Sequence, residues 1–403
     1  MALVNRLSLH YLLAGMSLGV FVAVQTLFLQ IKGMDLTQIG LLFGAYASAT
    51  TVLELPLGAL ADRYGRVRIY ALSRLLTLLA ALLCLVSTDF GWLFAALALA
   101  GVGRALDSGS IEAWQVEALE RTQLGHRLDV YIGRFHSCTA TGLAAGAILG
   151  GYLPTWLGPF WCEQPATQWN LLLQAGLTAL HLCLLPWLFH EGDLGSDHGS
   201  GVQPLRQALA QLRSNQTLRA LVLVAWIIGL LLFALETYWQ ARLRTLFPTI
   251  SYAVFGWLSS GYFLAAVVGP WVLTRLVRRF GGASSFWLMA LLGWVALVFA
   301  ALAWQSSLIG FASAYLGFMF SLSMLNVPLE TLVARTAPSH LRATLFSLIS
   351  LAVQAGGLAV AFGFSWLLPW LGISGLWWSL AGLGALTAIL LPRLMSSKMR
   401  PTQ

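Results

Sequence analysis

The sequence predicts an all-α integral membrane protein with twelve transmembrane helices in two pseudo-symmetric six-helix bundles. Of its 403 residues, 58% are hydrophobic and only 9% are charged, so the apolar surface exceeds what one soluble core of this length hides. Apolar stretches of about 20 residues recur along the whole chain, which is the length that crosses a hydrocarbon core. Strands of a β-barrel alternate apolar and polar residues, so the pattern excludes that class.

Twelve apolar stretches stand between polar or Pro/Gly breaks. The first, residues 7–31, is too long for a signal-peptide core and has no small-residue cleavage site, so it is predicted to remain as helix 1. The predicted helix centres lie near residues 20, 50, 78, 104, 144, 179, 230, 264, 294, 322, 355 and 383.

A long polar segment separates helices 6 and 7. Its run Gly192–Gly201 is rich in Gly, Ser and Asp, a composition that buries too little to fold by itself. The sequence therefore predicts an N-terminal six-helix bundle over 1–190, a flexible cytoplasmic linker over 191–216 and a C-terminal six-helix bundle over 217–403.

Basic residues predict the orientation. If the N- and C-termini are cytoplasmic, most of the 23 Lys and Arg residues, Arg74 included, fall on the inner side, and only Lys32, Arg242 and Arg244 fall outside. This asymmetry predicts a multi-pass protein of a cell inner (plasma) membrane. It also places the net charge of +8 against the anionic inner leaflet, so no nucleic-acid partner is expected.

A charged turn follows helix 2, with the sequence Gly58-Ala-Leu-Ala-Asp62-Arg63-Tyr-Gly65-Arg66-Val-Arg68. Gly65 permits a tight turn, and Asp62 at a helix end suits the positive N-terminal dipole of another helix. The segment Arg278-Arg279-Phe-Gly281-Gly282 after helix 8 is a weaker echo without the acid. Internal repeats of this kind are typical of secondary transporters.

The turn Gly58-x-Leu60-Ala61-Asp62-Arg63-x-Gly65-Arg66 and the six-plus-six layout resemble the Major Facilitator Superfamily, as does Pro338-x-x-Leu341-Arg342-Ala343-Thr344 at helix 11. The resemblance implies two bundles that alternate access to a central cavity lined by helices 1, 4, 7 and 10.

The resemblance also implies a cytoplasmic gate at the turn. Asp62 would meet the start of helix 11 near Arg342, and Arg66 would pair with Glu117 or Glu120 at the inner end of helix 4. Such a charge latch would hold the halves together and break on inward opening. The alternative is that these arginines only set topology.

Helix 5 has glycines at a regular spacing. The spacing is similar to the helix 5 motif of the superfamily's bacterial proton-coupled drug and small-molecule efflux members, with Ala147 in place of a proline. The alternative is ordinary packing, because small residues four apart let membrane helices approach closely. The glycines are Gly133, Gly142, Gly146, Gly150 and Gly151.

Ionisable residues inside membrane helices are candidates for proton coupling, because an isolated charge there is costly. Arg104 and Asp107 in helix 4 are three apart and share a face. They form either a structural pair or a coupling site. Glu112, with no obvious local partner, is a second candidate proton carrier. Glu54 in helix 2 is interpreted either as a helix–helix hydrogen bond near Pro56 or as a proton relay.

Polar and aromatic residues in helices 1, 7 and 10 are the predicted substrate contacts. They combine acids with aromatic rings, which suits a lipophilic cation. An aromatic belt at the membrane interface explains Tyr238 and Trp239 equally well. The set is Gln25, Glu236, Tyr238, Trp239, Gln240, Asn326 and Glu330.

These patterns predict a secondary active transporter that exports a lipophilic or amphiphilic small molecule in exchange for protons, working as a monomer in the bilayer. The alternatives are proton-linked uptake of a small metabolite and a non-transporting membrane receptor or scaffold. The histidines form no i, i+4 pair, and no nucleotide-binding loop or nucleophile–base constellation is recognisable. No metal, cofactor or enzymatic activity is expected.

Overall fold

The computed structural model describes residues 2–108, 110–122, 125–158, 166–189, 202–338 and 341–395. Over these residues the chain forms helices joined by short turns, with no strand. The chain divides into two compact units. The first contains Met1–His198 and Pro248–Phe263, and the second contains Gly199–Phe247 and Leu264–Gln403.

Helices of the first unit begin at polar caps where the sequence supplies them. Asp35 accepts a hydrogen bond from the Gln38 backbone N–H while the Gln38 side chain bonds back, and Asp89 accepts from the backbone of Gly91 and Trp92. The helices are α1 (Ala2–Val22), α2 (Gln25–Ile31), α3 (Leu36–Tyr64), α4 (Arg66–Val86), α5 (Phe90–Asp107), α6 (Ser110–Arg121), α7 (Leu128–Leu157) and α8 (Gln168–Leu188).

The second unit contains the later helices. Asn215 and Ser307 cap α10 and α13 through their side chains. The remaining helices are α9 (Val202–Ser214), α10 (Gln216–Leu246), α11 (Tyr252–Phe280), α12 (Ser284–Trp304), α13 (Leu308–Thr336), α14 (Arg342–Phe362) and α15 (Leu368–Leu394).

The start of α11 belongs to the first unit, although the predicted bundle boundary assigns all of it to the C-terminal half. Gly256 lies against Gly151 of α7. Next to this contact, the indole N–H of Trp257 donates a hydrogen bond to the Tyr152 hydroxyl at 3.2 Å. Because neither glycine has a side chain, the two backbones approach closely at this point.

Every predicted helix centre lies within one of the described helices. By length and composition, the described residues contain nine segments able to cross a membrane, or ten if the bent pair of α1 and α2 is one span. One of these segments, Thr344–Leu394, runs over both α14 and α15. The fold is thus the all-helical membrane class that the sequence predicts.

The linker between the halves differs from the prediction of a wholly flexible segment. Residues Val202–Ser214, inside the predicted linker, form α9. This stretch contains Leu, Ala, Gln and Arg, which are good helix formers. The preceding Gly/Ser/Asp run lies outside the described residues.

Glycines make the two turns that the sequence singles out. Gly65 has a φ of 96° and separates α3 from α4, while Gly281 and Gly282 after α11 have φ values of 67° and 101°. These are backbone conformations that other residues adopt only with strain. The tight turn predicted at Gly65 is therefore confirmed.

Candidate functional site

The gate turn brings together part of the predicted constellation. Arg66, the first residue of α4, donates to Glu117 of α6 at 2.5 Å, as predicted. The Arg66 side chain is only 7% exposed. Both residues belong to the first unit, so this ion pair joins two helices of one unit and is not by itself the predicted latch between halves.

The other gate residues have separate positions. Arg63 lies over the Tyr64 ring, with 5.3 Å from its guanidinium carbon to the ring centroid. Glu120 is exposed on α6, and Arg342 is exposed at the start of α14. The surroundings of Gly58 and the side chain of Asp62 lie outside the described part of the chain.

The fourth apolar segment is broken where its ionisable residues lie. The helix α5 ends at Asp107, α6 begins at Ser110, and Ser108 has a non-helical ψ of 120°. Arg104 Nη1 donates to Asp107 Oδ2 at 3.1 Å, so the predicted contact between residues three apart is confirmed. Discontinuous membrane helices expose backbone ends that serve as ion and substrate sites in transporters.

Asp107 has a second cationic partner that sequence reasoning missed. Arg74 Nη2 of α4 donates to the same oxygen at 2.8 Å. The side chains of Arg74 and Asp107 are 15% and 19% exposed, whereas that of Arg104 is 53% exposed. One carboxylate oxygen therefore holds two guanidinium groups.

Arg74, which the count of basic residues groups with the inner side, lies within the apolar helix α4. Arg74 lies eight residues beyond Arg66 at the start of α4, which places it about 12 Å along the helix. Its guanidinium also lies over the Tyr70 ring at 4.9 Å. This depth within an apolar helix is the sequence signal that identifies it as a partner for a buried acid.

Glu54 and Glu112 complete the acids near the break. Ser108 Oγ donates to Glu54 Oε1 at 2.5 Å, which is the helix–helix hydrogen bond that one interpretation of Glu54 predicts. Glu112 lies in the first turn of α6, is exposed and has an interaction partner. The expectation of a solitary acid in apolar surroundings is wrong, because the Glu112 side chain is exposed and has a partner, while Ser110 and Ile111 of the same turn are buried.

A second polar cluster lies on α1, α6 and α8 within the first unit. Tyr11 donates to Gln115 Oε1 at 2.8 Å, and His10 Nδ1 lies 2.9 Å from His181 Nε2. Both histidines are at most 2% exposed. This pair is 171 residues apart in sequence, so a search for histidines spaced four apart could not find it.

The predicted substrate residues divide into exposed and packed groups. Glu236 on α10 and the pair Asn326 and Glu330 on α13 are exposed, and Gln25 at the start of α2 is half-buried. Exposed polar groups on apolar helices favour water over lipid. Their role as substrate contacts stays a prediction.

Three other residues of that set are packed inside the second unit. Tyr238 is fully buried and shares a 2.7 Å hydrogen bond with Ser365. Trp239 packs on Tyr315 with centroids 4.6 Å apart, and Gln240 is fully buried. Gln240 is thus enclosed by neighbouring helices, whereas Glu236, four residues earlier on α10, is exposed.

The helix 5 glycines serve mainly in close helix packing. A Cβ atom at Gly142, Gly146 or Gly150 of α7 would meet backbone atoms of α1, while Gly151 faces Gly256. Gly15 and Gly19 of α1 make the reciprocal approach to α7. Only open space surrounds Gly133. Close helix packing therefore accounts for Gly142, Gly146, Gly150 and Gly151, but not for Gly133.

Among the described residues, no group of three or more His, Cys, Asp or Glu side chains is arranged to hold a metal ion. The described site consists instead of guanidinium, carboxylate, hydroxyl and imidazole groups connected across α1, α3, α4, α5, α6 and α8. The carboxylate and imidazole groups can bind and release protons, whereas the guanidinium groups stay charged and hold anionic or polar partners.

Comparison with known proteins gives one sequence family. The profile of the Major Facilitator Superfamily matches residues 7–249. An uncharacterised MFS-type transporter of Methanocaldococcus jannaschii is 27% identical over 144 residues, which is 36% of this chain and 36% of that protein. The alignment thus spans about a third of the relative's length.

Solved transporters share the whole fold. A crystal structure of a mutant of the nucleoside transporter NupG has a TM-score of 0.84 at 13% identity, covering 98% of this chain and all of that one. The POT family transporter PepTSo has a TM-score of 0.74 at 12% identity, covering 98% and 97%. A bacterial homologue of the human lysosomal transporter Spinster has a TM-score of 0.69 at 16% identity, covering 98% and 95%.

Proposed function

The chain belongs to the Major Facilitator Superfamily, and on that premise we propose that it is a proton-coupled transporter exporting a lipophilic or amphiphilic small molecule. It is a multi-pass membrane transporter rather than an enzyme. The finer assignment rests on one observation, the Asp107 carboxylate shared by Arg74 and Arg104 at the break in the fourth apolar segment.

Asp107 is the proposed proton-coupling residue. While ionised, it compensates two cations from two helices, α4 and α5. Protonation makes the carboxyl neutral and leaves Arg74, which is largely buried, without that compensation. An uncompensated charge in an apolar region costs several kcal/mol, at least about 2.5. The helices are thus driven to a second arrangement that hydrates the guanidinium.

Glu54 and Glu112 are the proposed auxiliary acids. Glu54 is connected to the same break because it accepts a hydrogen bond from Ser108. Glu112 stands in the first turn of α6, where the positive end of the helix dipole favours a carboxylate. If Glu112 rather than Asp107 carries the proton, the two acids will respond differently to neutralisation.

Arg66 and Glu117 are the proposed gating pair of the first unit. Their ion pair ties the start of α4 to α6, the helix that follows the break. Movement at the break therefore strains or releases this contact. Arg66 thereby connects proton binding with the charged turn after α3. The other proposed gate residues are Gly58, Asp62, Arg63, Gly65, Glu120 and Arg342.

Exposed acids of the second unit are the proposed substrate contacts. Glu236, Glu330 and Asn326 lie on α10 and α13, and Gln25 adds a polar contact in the first unit. Carboxylates beside apolar helices suit a cargo with a cationic or hydrogen-bonding group and an apolar body. The protein is proposed to act as a monomer in a cell inner membrane with both termini cytoplasmic.

Proton-linked uptake of a small metabolite is the second candidate. The helix 5 spacing that favours export is accounted for by packing against α1 and Gly256, so those glycines serve either direction. A nucleoside transporter and a POT family transporter solved in complex with a thioalcohol-conjugated peptide share this fold, which supplies examples of polar cargo for the test.

Everted membrane vesicles distinguish the two directions. Respiration acidifies their lumen, and an added exported compound should release protons by exchange, seen as recovery of a pH-sensitive dye. We expect lipophilic cations such as tetraphenylphosphonium to give recovery with the wild type. Asp107→Asn should abolish recovery while the compound still raises the melting temperature of the purified variant.

Asp89→Asn is the matched control. Asp89 caps α5 far from the break, and Asn accepts the same backbone hydrogen bonds at a cap, so proton release should equal that of the wild type. Unchanged exchange in both Asp107→Asn and Glu112→Gln would overturn the coupling assignment. If protons move only when the substrate is loaded inside the vesicles, the direction of transport is uptake and not export.

A further inference from the structure

Asn170, near the start of α8, bonds two other helices with one amide group. Its Nδ2 donates to the backbone carbonyls of Val20 in α1 at 2.8 Å and Gly150 in α7 at 2.7 Å. The side chain is fully buried. An amide nitrogen carries two N–H groups, so both bonds form at once. Two carbonyl acceptors also require that the nitrogen, not the oxygen, points to them.

The Val20 carbonyl has lost its helical donor. In an α-helix it would accept from Val24 N–H, but Val24 N–H donates to Phe21 O at 3.0 Å instead. The helix α1 ends at Val22, α2 begins at Gln25, and the two are bent by 42°. Residues 20–25 contain no Pro or Gly, the usual sequence causes of a sharp bend.

The Gly150 carbonyl has lost its helical donor for a different reason. The residue four positions later is Pro154, which lies inside α7 and has no backbone N–H. A Cβ atom at position 150 would also meet the Val20 carbonyl. Glycine at this position thus lets the two carbonyls lie close enough for one side chain to reach both.

We propose that Asn170 is a positioning residue that breaks α1 at Val20 and clamps the break to the proline site of α7. Insertion of a side chain into the i→i−4 ladder is a recognised cause of a helix bend. The clamp sets the direction of α2, which starts with the substrate-contact candidate Gln25. This inference rests on the described first unit and does not depend on proton coupling or on the direction of transport.

Distances from spin labels test the effect on α2. Labels at Gln30→Cys and Thr88→Cys, in a background without the native cysteines, report the end of α2 against the α4–α5 turn. Straightening a 42° bend moves the end of a seven-residue helix by about 7 Å, given the rise of 1.5 Å per residue. We expect shifts of that size in Asn170→Asp and Asn170→Leu, which lack both donors.

Thr178→Val is the matched control. Thr178 lies on α8 and shares a buried hydrogen bond with Ser17 of α1 at 3.1 Å, in the helical turn before Val20. Its removal should leave the label distance unchanged. Folded Asn170→Asp and Asn170→Leu proteins with the wild-type distance would overturn the proposal.

Pro154→Ala tests the α7 contact independently. Alanine at 154 supplies the missing N–H to Gly150 O, so the loss of melting temperature caused by Asn170→Leu should be smaller in this background. Equal losses in both backgrounds would overturn the α7 part of the clamp. If the single variant Asn170→Leu does not fold, the label distance is measured in the Asn170→Leu/Pro154→Ala double variant. If the double variant does not fold either, Pro154→Ala does not compensate for the lost Asn170 hydrogen bond, which contradicts the α7 part of the proposal.

Discussion

Single residues at the break in the fourth apolar segment differ sharply in their surroundings. Arg74 and Asp107 are mostly covered by protein, whereas Arg104 is half-exposed, although both arginines bond the same carboxylate oxygen. Breaking a buried ion pair leaves a charge without compensation, while an exposed pair gains little because water replaces it. Arg74 is therefore expected to contribute more than Arg104 to the free energy of unfolding.

Arg74→Gln should lower the free energy of unfolding by about 3 kcal/mol, the loss typical of a broken buried pair. Arg104→Gln should lower it by about 1 kcal/mol or less, as for an exposed pair. Thermal melts of the purified proteins in the same detergent measure the difference. Equal losses for the two variants would mean that both arginines are compensated in the same way.

Whole elements approach one another closely where one of them has glycines at the contact. Glycines four apart on α7 lie against α1 residues Leu12, Met16 and Val20, which are also four apart. This spacing places one row of backbone atoms against another over about two turns. In a membrane, where apolar side chains gain little from leaving lipid, such packing is a main source of helix association.

Gly146→Ala should destabilise the protein by about 1–3 kcal/mol, because its Cβ would overlap the Met16 backbone and overpacking costs this much. Gly133→Ala, on the same helix but surrounded by open space, should be neutral or stabilising by up to about 1 kcal/mol through helix propensity. Melting temperatures of the two variants measure the contrast. A neutral Gly146→Ala would contradict the close packing.

At the scale of the whole molecule, basic residues and helix order together predict the topology. The Ser87–Asp89 turn follows α4, and Thr122 follows α6. An N-terminus in the cytoplasm places these two turns on opposite sides of the membrane. The Arg-rich surroundings of Thr122, with Arg121 and Arg127 beside it, favour the inner side.

Thr88→Cys should react with a membrane-impermeant maleimide added to intact cells, and Thr122→Cys should react only after the cells are opened. Both substitutions are made in a background without the native cysteines. The extent of labelling on gels measures accessibility. The reverse pattern would invert the proposed orientation of every helix.

The sequence alone determined the membrane class, the positions of the helices, the Gly65 turn and the Arg104–Asp107 contact, because these depend on local composition and on the helical repeat. The family resemblance also limited the partner of Arg66 to Glu117 or Glu120, and the structure selects Glu117. Tertiary structure decided which distant groups meet. Arg74 and Asp107 are 33 residues apart, Glu54 and Ser108 are 54 apart, and Asn170 and Val20 are 150 apart. Such pairs form only when helices pack with a particular rotation about their axes, and the same rotation buries Tyr238 while it leaves Glu236 exposed.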